Sequence, residues 1–288
     1  MKFVKSAHKL IGEHLKIRQL MQETRHDWLR VPLIVFPEGK PIRPVSVLYR
    51  QLQAQTVVAA HTHNWGQLVY CRQGALDVIT PAARYLIPPD RAVWVPPNQP
   101  HEISSLYGAE LTSINILPVA TADLAQECLV LEVSQLLREL IQEALKQPVD
   151  YDWHSPAGRL FRTLRDQISV APQAPLYLPL PVDSRLRNIC YQLEEDPSLQ
   201  HTLSEWGTLV GASERTLQRL FQKEARMTFQ QWRQQLRLQV ALERLVTSRD
   251  SVTMIAADIG YESTSTFISM FQKYCGMTPG EYRKSKSG

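Results

Sequence analysis

Ser213-Glu214-Arg215-Thr216-Leu217-Gln218-Arg219-Leu220-Phe221 decides the architecture, because its frame recurs fifty residues on: Ser213, Leu217, Phe221, Lys223, Met227 and Thr228 return as Ser263, Phe267, Phe271, Lys273, Met277 and Thr278. Each copy reads as a capping serine, an apolar-periodic helix, a short stop and a second cap. Ahead of the first copy, Thr202-Leu203-Ser204-Glu205 is a capping box. A short helix with Leu203, Trp206 and Leu209 follows, then a turn at Val210-Gly211-Ala212. Helix, tight turn, helix is the grammar of a duplex reader. The second copy runs from Thr253 through Gly260-Tyr261 to a helix ending near Tyr274, and Thr278-Pro279 opens a last helix.

Within the first recognition helix Leu217, Leu220 and Phe221 point inward. Arg215, Gln218, Arg219 and Gln222 then fall on or near the outer face behind the Ser213 cap. Arg and Gln carry the donors that read guanine and adenine edges bidentately. The second helix, capped by Ser263, offers Thr264, Ser265, Ile268 and Ser269. Those side chains reach phosphates, thymine methyls or water-bridged bases, so discrimination is expected to lean on the first unit. The helix between them, from about Thr228 to Thr247, spans about 30 Å at its rise per residue. One turn of B-DNA is about 34 Å, so the two helices match successive major grooves.

Together with Gly260-Tyr261-Glu262-Ser263, Phe267, Phe271, Gly276-Met277-Thr278-Pro279 and Tyr282-Arg283, these residues resemble the DNA-binding domain of AraC/XylS transcriptional regulators, over about Arg185 to Arg283. The resemblance implies base-reading positions at Arg215, Gln218 and Arg219 and at Thr264, Ser265, Ile268 and Ser269. It implies double-stranded DNA as a partner, with RNA polymerase and a second copy of the chain as further candidates. Two positions depart from the family. Arg226 stands where glycine is usual, and a left-handed backbone there costs about 1 to 2 kcal/mol. Gly207 replaces a favoured alanine at about 1 kcal/mol of helix propensity. Both point to a softer first unit.

From about Pro32 to Pro118 the texture is that of short strands, such as Val45-Ser46-Val47-Leu48-Tyr49 and Gln67-Leu68-Val69-Tyr70, punctuated by Pro and Gly. A sandwich or barrel follows. Leu129 to Lys146 changes to helical period with a leucine-rich stripe, which reads equally as a cover for the barrel and as a dimer face. Ser155 to Ile168 reads as a second helix. Ala171 to Pro181 holds four prolines in eleven residues and is the expected linker. The expected organisation is α+β: an arm at 1–30, with weak helical character at Leu10, Leu15, Ile17 and Leu20; a barrel at 31–120; helices at 121–170; a linker at 171–184; and an all-helical double helix-turn-helix head at 185–288.

His61-Thr62-His63, Gln67 and Gly74, followed by Pro96-Pro97-Asn98-Gln99-Pro100-His101, resemble the two motifs of cupins. The resemblance implies a metal-ligand set of His61, His63, Gln67 and His101 inside the barrel. Period two puts His61 and His63 on one side of a strand, and a neighbouring strand brings His101 opposite. Three imidazoles suit zinc, nickel, copper or iron. Gln67 stands where the family has glutamate and Asn98 where it has glycine, which argues against redox chemistry. Trp65, Tyr70, Tyr85 and Trp94 are candidate effector-pocket residues.

The chain has 288 residues, room for two domains, with ordinary hydrophobic (44%) and charged (21%) content. Its formal charge of +4 is too mild to argue nucleic acid alone. Cys71, Cys128, Cys190 and Cys275 lie far apart, without metal or disulfide spacing. No apolar run is long enough for a membrane helix, and charged residues interrupt the N-terminus where a secretory signal would sit, so a cytoplasmic location is expected. The combined expectation is a bacterial transcriptional regulator without catalytic residues, whose promoter binding answers to a small molecule or metal sensed in the barrel. A metal-dependent cupin enzyme carrying a DNA-binding domain is the alternative, and an architectural DNA-binding protein without effector is a third.

Overall fold

The computed structural model describes residues 27–32, 36, 41–89, 91–174 and 177–286. Residues 1–26, which include the apolar positions of the expected arm, lie outside the described residues. The N-terminal half is one curled, mainly antiparallel sheet. Its strands are β1 (Leu29–Val31), β2 (Val45–His61), β3 (Gly66–Gly74), β4 (Leu76–Ile79), β5 (Ala83–Ile87), β6 (Arg91–Val95), β7 (His101–Ile116), β8 (Leu129–Glu132) and β9 (Leu178–Pro179). The path runs β8-β6-β3-β7-β4-β5-β9. Long β7 organises it: β2 follows it from Val45 opposite Ile116 to His61 opposite His101, while β3 and β4 share its other edge.

Side-chain alternation divides the sheet into two apolar layers. Val69, Cys71, Val93 and Val95 join the inner cluster with Leu76, Val78 and Ile103. Leu68, Tyr70, Ala92 and Trp94 face a second cluster roofed by helices α1 (Gln135–Ala144) and α2 (Pro156–Ser169). Ser134 and Ser155 cap these helices, accepting from the backbone N–H of Leu137 and Gly158. Leu137, Ile141 and Ala144 of α1 are buried in that roof, whereas Leu136 is 54% exposed. Much of the leucine stripe therefore serves as cover. The helical period expected from Leu129 onward starts late: Leu129–Glu132 forms β8 on the edge of β6. Leu and Val suit either state, and the free edge of β6 supplies the backbone partners that select the strand.

The proline-rich segment is docked as well as extended. Gln173 bridges Leu131, and β9 adds to the edge of β5, a position where proline is tolerated. Beyond it lie α3 (Ser184–Glu195), α4 (Leu203–Val210), α5 (Glu214–Leu220) with a π-helical turn at Phe221–Ala225, α6 (Phe229–Thr247), α7 (Val252–Asp258), α8 (Thr264–Cys275) and α9 (Pro279–Lys286). The 19-residue α6 is about 29 Å long and is the spine of this head. Its Phe229, Trp232 and Leu236 pack with Trp206, Leu217 and Phe221 of the first unit. Its Leu238, Ala241, Leu242 and Leu245 belong to the cluster holding Ile255, Phe267, Phe271 and Tyr282 of the second.

Candidate functional site

The two reading units close in the same way and finish differently. In the first, Thr202 and Glu205 form the capping box on α4, Gly211 turns left-handed, and Ser213 Oγ accepts from Thr216 N–H at 3.2 Å. In the second, Ser251 caps α7, Gly260 makes the turn, and α8 follows. The expected Ser263 cap is not made: its hydroxyl pairs with Ser265 Oγ at 2.7 Å, and α8 has no side-chain cap.

Buried Arg237 on α6 ties the units together. Its guanidinium donates to the carbonyls of Pro197 (2.9 Å) and Leu199 (3.3 Å), ahead of the first unit, and lies 5.6 Å from the ring centre of Tyr261 in the second unit's turn. Gln200 Nε2 donates to Gly260 O at 2.6 Å across the same seam. Arg244 holds Asp250 and Asp258 at 2.7 and 2.8 Å, fixing α7 to the spine. The recognition helices are thereby held at one mutual spacing.

Arg215, Gln218, Arg219 and Gln222 are all exposed. Gln218 Nε2 donates to Glu214 Oε1 at 2.9 Å, which orients its amide before any duplex arrives. On α8, Ser265 and Ser269 are exposed, whereas Thr264 and Ile268 are half-buried and Ile268 packs against the apolar cluster. Thr266 and Gln272 share the exposed face and were missed from sequence. The fifty-residue offset carried that signal, since it lays Gln272 on Gln222.

The two departures in the first unit have structural counterparts. Arg226 is left-handed at φ 54°, matching Gly276 at φ 71°, so the turn is kept and an L side chain carries its strain. Gly207 is required by close approach: a Cβ there would stand 2.4 Å from the Ala212 carbonyl oxygen. The lost helix propensity accompanies a tighter turn.

In the barrel, His61 ends β2 opposite His101, His63 lies in the loop just beyond, and Gln67 is on β3. The ring centres of His61 and His63 are 4.3 and 5.1 Å from that of His101. Each Nδ1–H donates to a backbone carbonyl: Ala59 at 2.8 Å, Trp65 at 2.7 Å and Gln99 at 2.9 Å. A carbonyl only accepts, which fixes the tautomer and leaves three Nε2 lone pairs free to converge. Gln67 Nε2 donates to Ser113 Oγ, and its Oε1 lies 2.9 Å from His101 Nε2 and 3.3 Å from His63 Nε2.

Burial lowers the pKa of all three histidines below the usual imidazole value, that of His101 to about 3, so the rings are neutral at physiological pH. Four acceptors therefore face one another, with the candidate histidine ligand atoms within 4.8 Å of one another. His61 Nε2 is buried without a hydrogen-bond partner among the described residues. A set of three imidazoles and an amide oxygen fits a divalent transition metal. Asn98, where cupins have glycine, adopts φ 62° and donates its N–H to His63 O at 2.7 Å.

Of the four candidate pocket aromatics, Trp65 lines the cavity, stacked on His63 at 4.5 Å with its indole N–H on Asn115 Oδ1. Tyr70 and Trp94 face the helical roof instead, Trp94 donating to Ala125 O. Tyr85 stacks with Tyr177, 6.0 Å away. A cavity of about 10 Å³ beside the cluster is bounded by Leu48, Val58, Ile103 and Leu111 together with His63, Trp65, Gln67, Ser113 and Asn115, room for about one water. No described helix is long and apolar enough to cross a membrane.

A curled ligand-binding sheet joined to a double helix-turn-helix head defines a DNA-binding regulator. Residues 43–245 match the model of the AraC-like ligand binding domain, and residues 206–285 match a helix-turn-helix domain. The chain is 36% identical over 222 residues to the HTH-type transcriptional regulator NimR of Escherichia coli, covering 77% of this chain and 81% of that protein. It is 32% identical over 110 residues to the HTH-type transcriptional regulator RipA of Corynebacterium glutamicum, covering 38% of this chain and 33% of the relative. A crystal structure of a DNA-binding transcriptional dual regulator from Escherichia coli K-12 overlaps 36% of this chain and 94% of its own at 27% identity, with a TM-score of 0.34. The chain belongs to the AraC family of transcriptional regulators, with an N-terminal ligand-binding domain and a helix-turn-helix head that binds double-stranded DNA.

Proposed function

We propose that this regulator reads a bipartite promoter site through α5 and α8, and that its promoter binding answers to a divalent transition metal ion held at the His61, His63 and His101 cluster. Arg215, Gln218, Arg219 and Gln222 take base edges in one major groove. Ser265, Ser269 and neighbouring residues of α8 hold phosphates and weaker base contacts in the next. The α6 spine, close to one turn of B-DNA in length, supports this division.

The single observation that carries the effector assignment is the convergence of unprotonated acceptors. Turning the Gln67 amide over would supply donors to His63 and His101 but leave His61 Nε2 bare. His61, His63, His101 and Gln67 would hold the ion, which would supply the positive charge these lone pairs face. The family match and the transcriptional-regulator relatives favour a sensor over a cupin enzyme.

Two measurements test the reading. Elemental analysis with X-ray absorption on purified protein should find one zinc, nickel, copper or iron per chain with nitrogen-rich coordination, lost in His61→Ala. Operator affinity should then differ between chelated and metal-restored protein. Affinity that ignores both chelation and His61→Ala, in protein shown to lose its metal, would sink the assignment.

A further inference from the structure

Strand β9 belongs to both halves of the molecule. Its backbone is in the barrel sheet, with Leu178 and Pro179 opposite Arg84 and Ala83, and Leu180 N–H donates to Ala82 O at 2.9 Å. Its Leu178 side chain is fully buried in the core of the first reading unit, in the cluster that contains Leu186, Trp206 and Trp232. The Trp232 indole N–H donates to Pro179 O at 3.1 Å. Just after β9, the N–H groups of Val182 and Asp183 donate to Glu224 Oε2 at 2.8 and 3.0 Å. Glu224 lies in the π-turn that closes the first recognition helix.

An ion cluster stands beside this strand. Arg84 grips the buried Asp77 carboxylate with two parallel bonds of 2.8 and 2.9 Å, the strong form of such a pair. The same guanidinium faces Glu194 of α3 at 3.7 Å. Burial works against its charge, and the carboxylates of Asp77, Glu194 and Glu243 outweigh that effect. Two carboxylates of the head thus look onto one arginine of the barrel. Asp77 is the register partner of Ser104 on β7, three residues from His101.

We propose that Arg84 is a positioning residue for the first recognition helix: it clasps the head to the barrel, and β9 is the element that detaches when the clasp opens. Docking leaves Arg215, Gln218, Arg219 and Gln222 exposed, so the clasp does not work by covering the reading face. It works by fixing where that face stands, through Leu178 and Glu224. The route from His101 to the clasp rests on the function proposed above; the clasp itself does not.

Hydrogen exchange on the full chain, without metal or DNA, reads the clasp directly. In Arg84→Met the amides of Leu180, Val182 and Asp183 should exchange at least about tenfold faster, while α8 keeps its protection. Arg84→Lys should recover part of the loss. Glu194→Gln leaves the Asp77–Arg84 pair intact, so it tests the same seam if Arg84→Met fails to fold; it should accelerate the same three amides by less. Unchanged exchange at these amides in both Arg84→Met and Glu194→Gln would overturn the proposal. So would acceleration spread evenly through β4 and β7, which would make Arg84 a support of the barrel alone. In operator binding, Arg84→Met should lose the difference between metal-loaded and chelated protein. If wild-type binding shows no such difference, the effector assignment fails while the exchange result stands.

Discussion

The first and second reading units share one frame and invest it differently. Both bury the same apolar positions against one spine, Leu217 and Phe221 in the first, Phe267 and Phe271 in the second. The first then presents two arginines and two glutamines and closes on a strained Arg226; the second presents small hydroxyls with Gln272 and closes on relaxed Gly276. Duplication preserved what packs and released what reads. Backbone strain thus falls in the unit to which the proposed function assigns base reading.

The most disruptive way to break this comparison is to remove the shared frame. Phe221→Ala and Phe271→Ala should each cost about 3 to 5 kcal/mol, since both rings are fully buried. Urea unfolding of the full chain checks it, and a small loss in only one of the pair would mean that the repeat is not a packing repeat.

Next in size are the readers themselves. Arg219→Ala should cost about 1 to 3 kcal/mol at a preferred operator and relax preference at one base position. Ser269→Ala should cost less than about 1 kcal/mol and act alike on all sequences, as a phosphate contact does. Equal losses for Arg219→Ala on operator and random duplexes would turn Arg219 into a phosphate contact and erase the asymmetry.

The closing turns give a smaller, opposite pair. Arg226→Gly should stabilise the chain by about 1 kcal/mol by removing left-handed strain, and Gly276→Ala should destabilise it by a similar amount. Thermal midpoints moving in opposite directions would support the matched turns. Gly207→Ala is the finest test: helix propensity alone predicts a gain of about 1 kcal/mol, whereas the Ala212 carbonyl predicts a net loss. A stabilised variant would show that the turn has room.

The head was legible in sequence because its information is local: caps, periodicity and an internal repeat mark each helix without reference to distant residues. The same offset carries a signal for Gln272, the counterpart of Gln222, which the outward positions expected on α8 did not include. The barrel was legible in kind and less so in detail. His61 and His101 do meet across β2 and β7, but His63 lies past the strand end, where period two no longer governs its direction.

Tyr70 is three residues from Gln67 on β3, an odd separation that sends it to the opposite face, and aromatic residue type alone does not carry that parity. Leu129–Glu132 could be strand or helix until the free edge of β6 decided it. The docking of β9 on β5 pairs residues far apart in sequence, and no local pattern announces it. Proline content foretold the extended backbone but not its partner.

Selection of bound duplexes from a random pool, with wild-type protein and with Arg219→Ala, tests the central claim most directly. The account predicts two blocks of base preference about one helical turn, roughly 10 base pairs, apart, one strong and one weak. In Arg219→Ala the strong block should lose preference at one position while the weak block persists. A motif left intact by the substitution, or two blocks eroded equally, would contradict the division of labour between the two units.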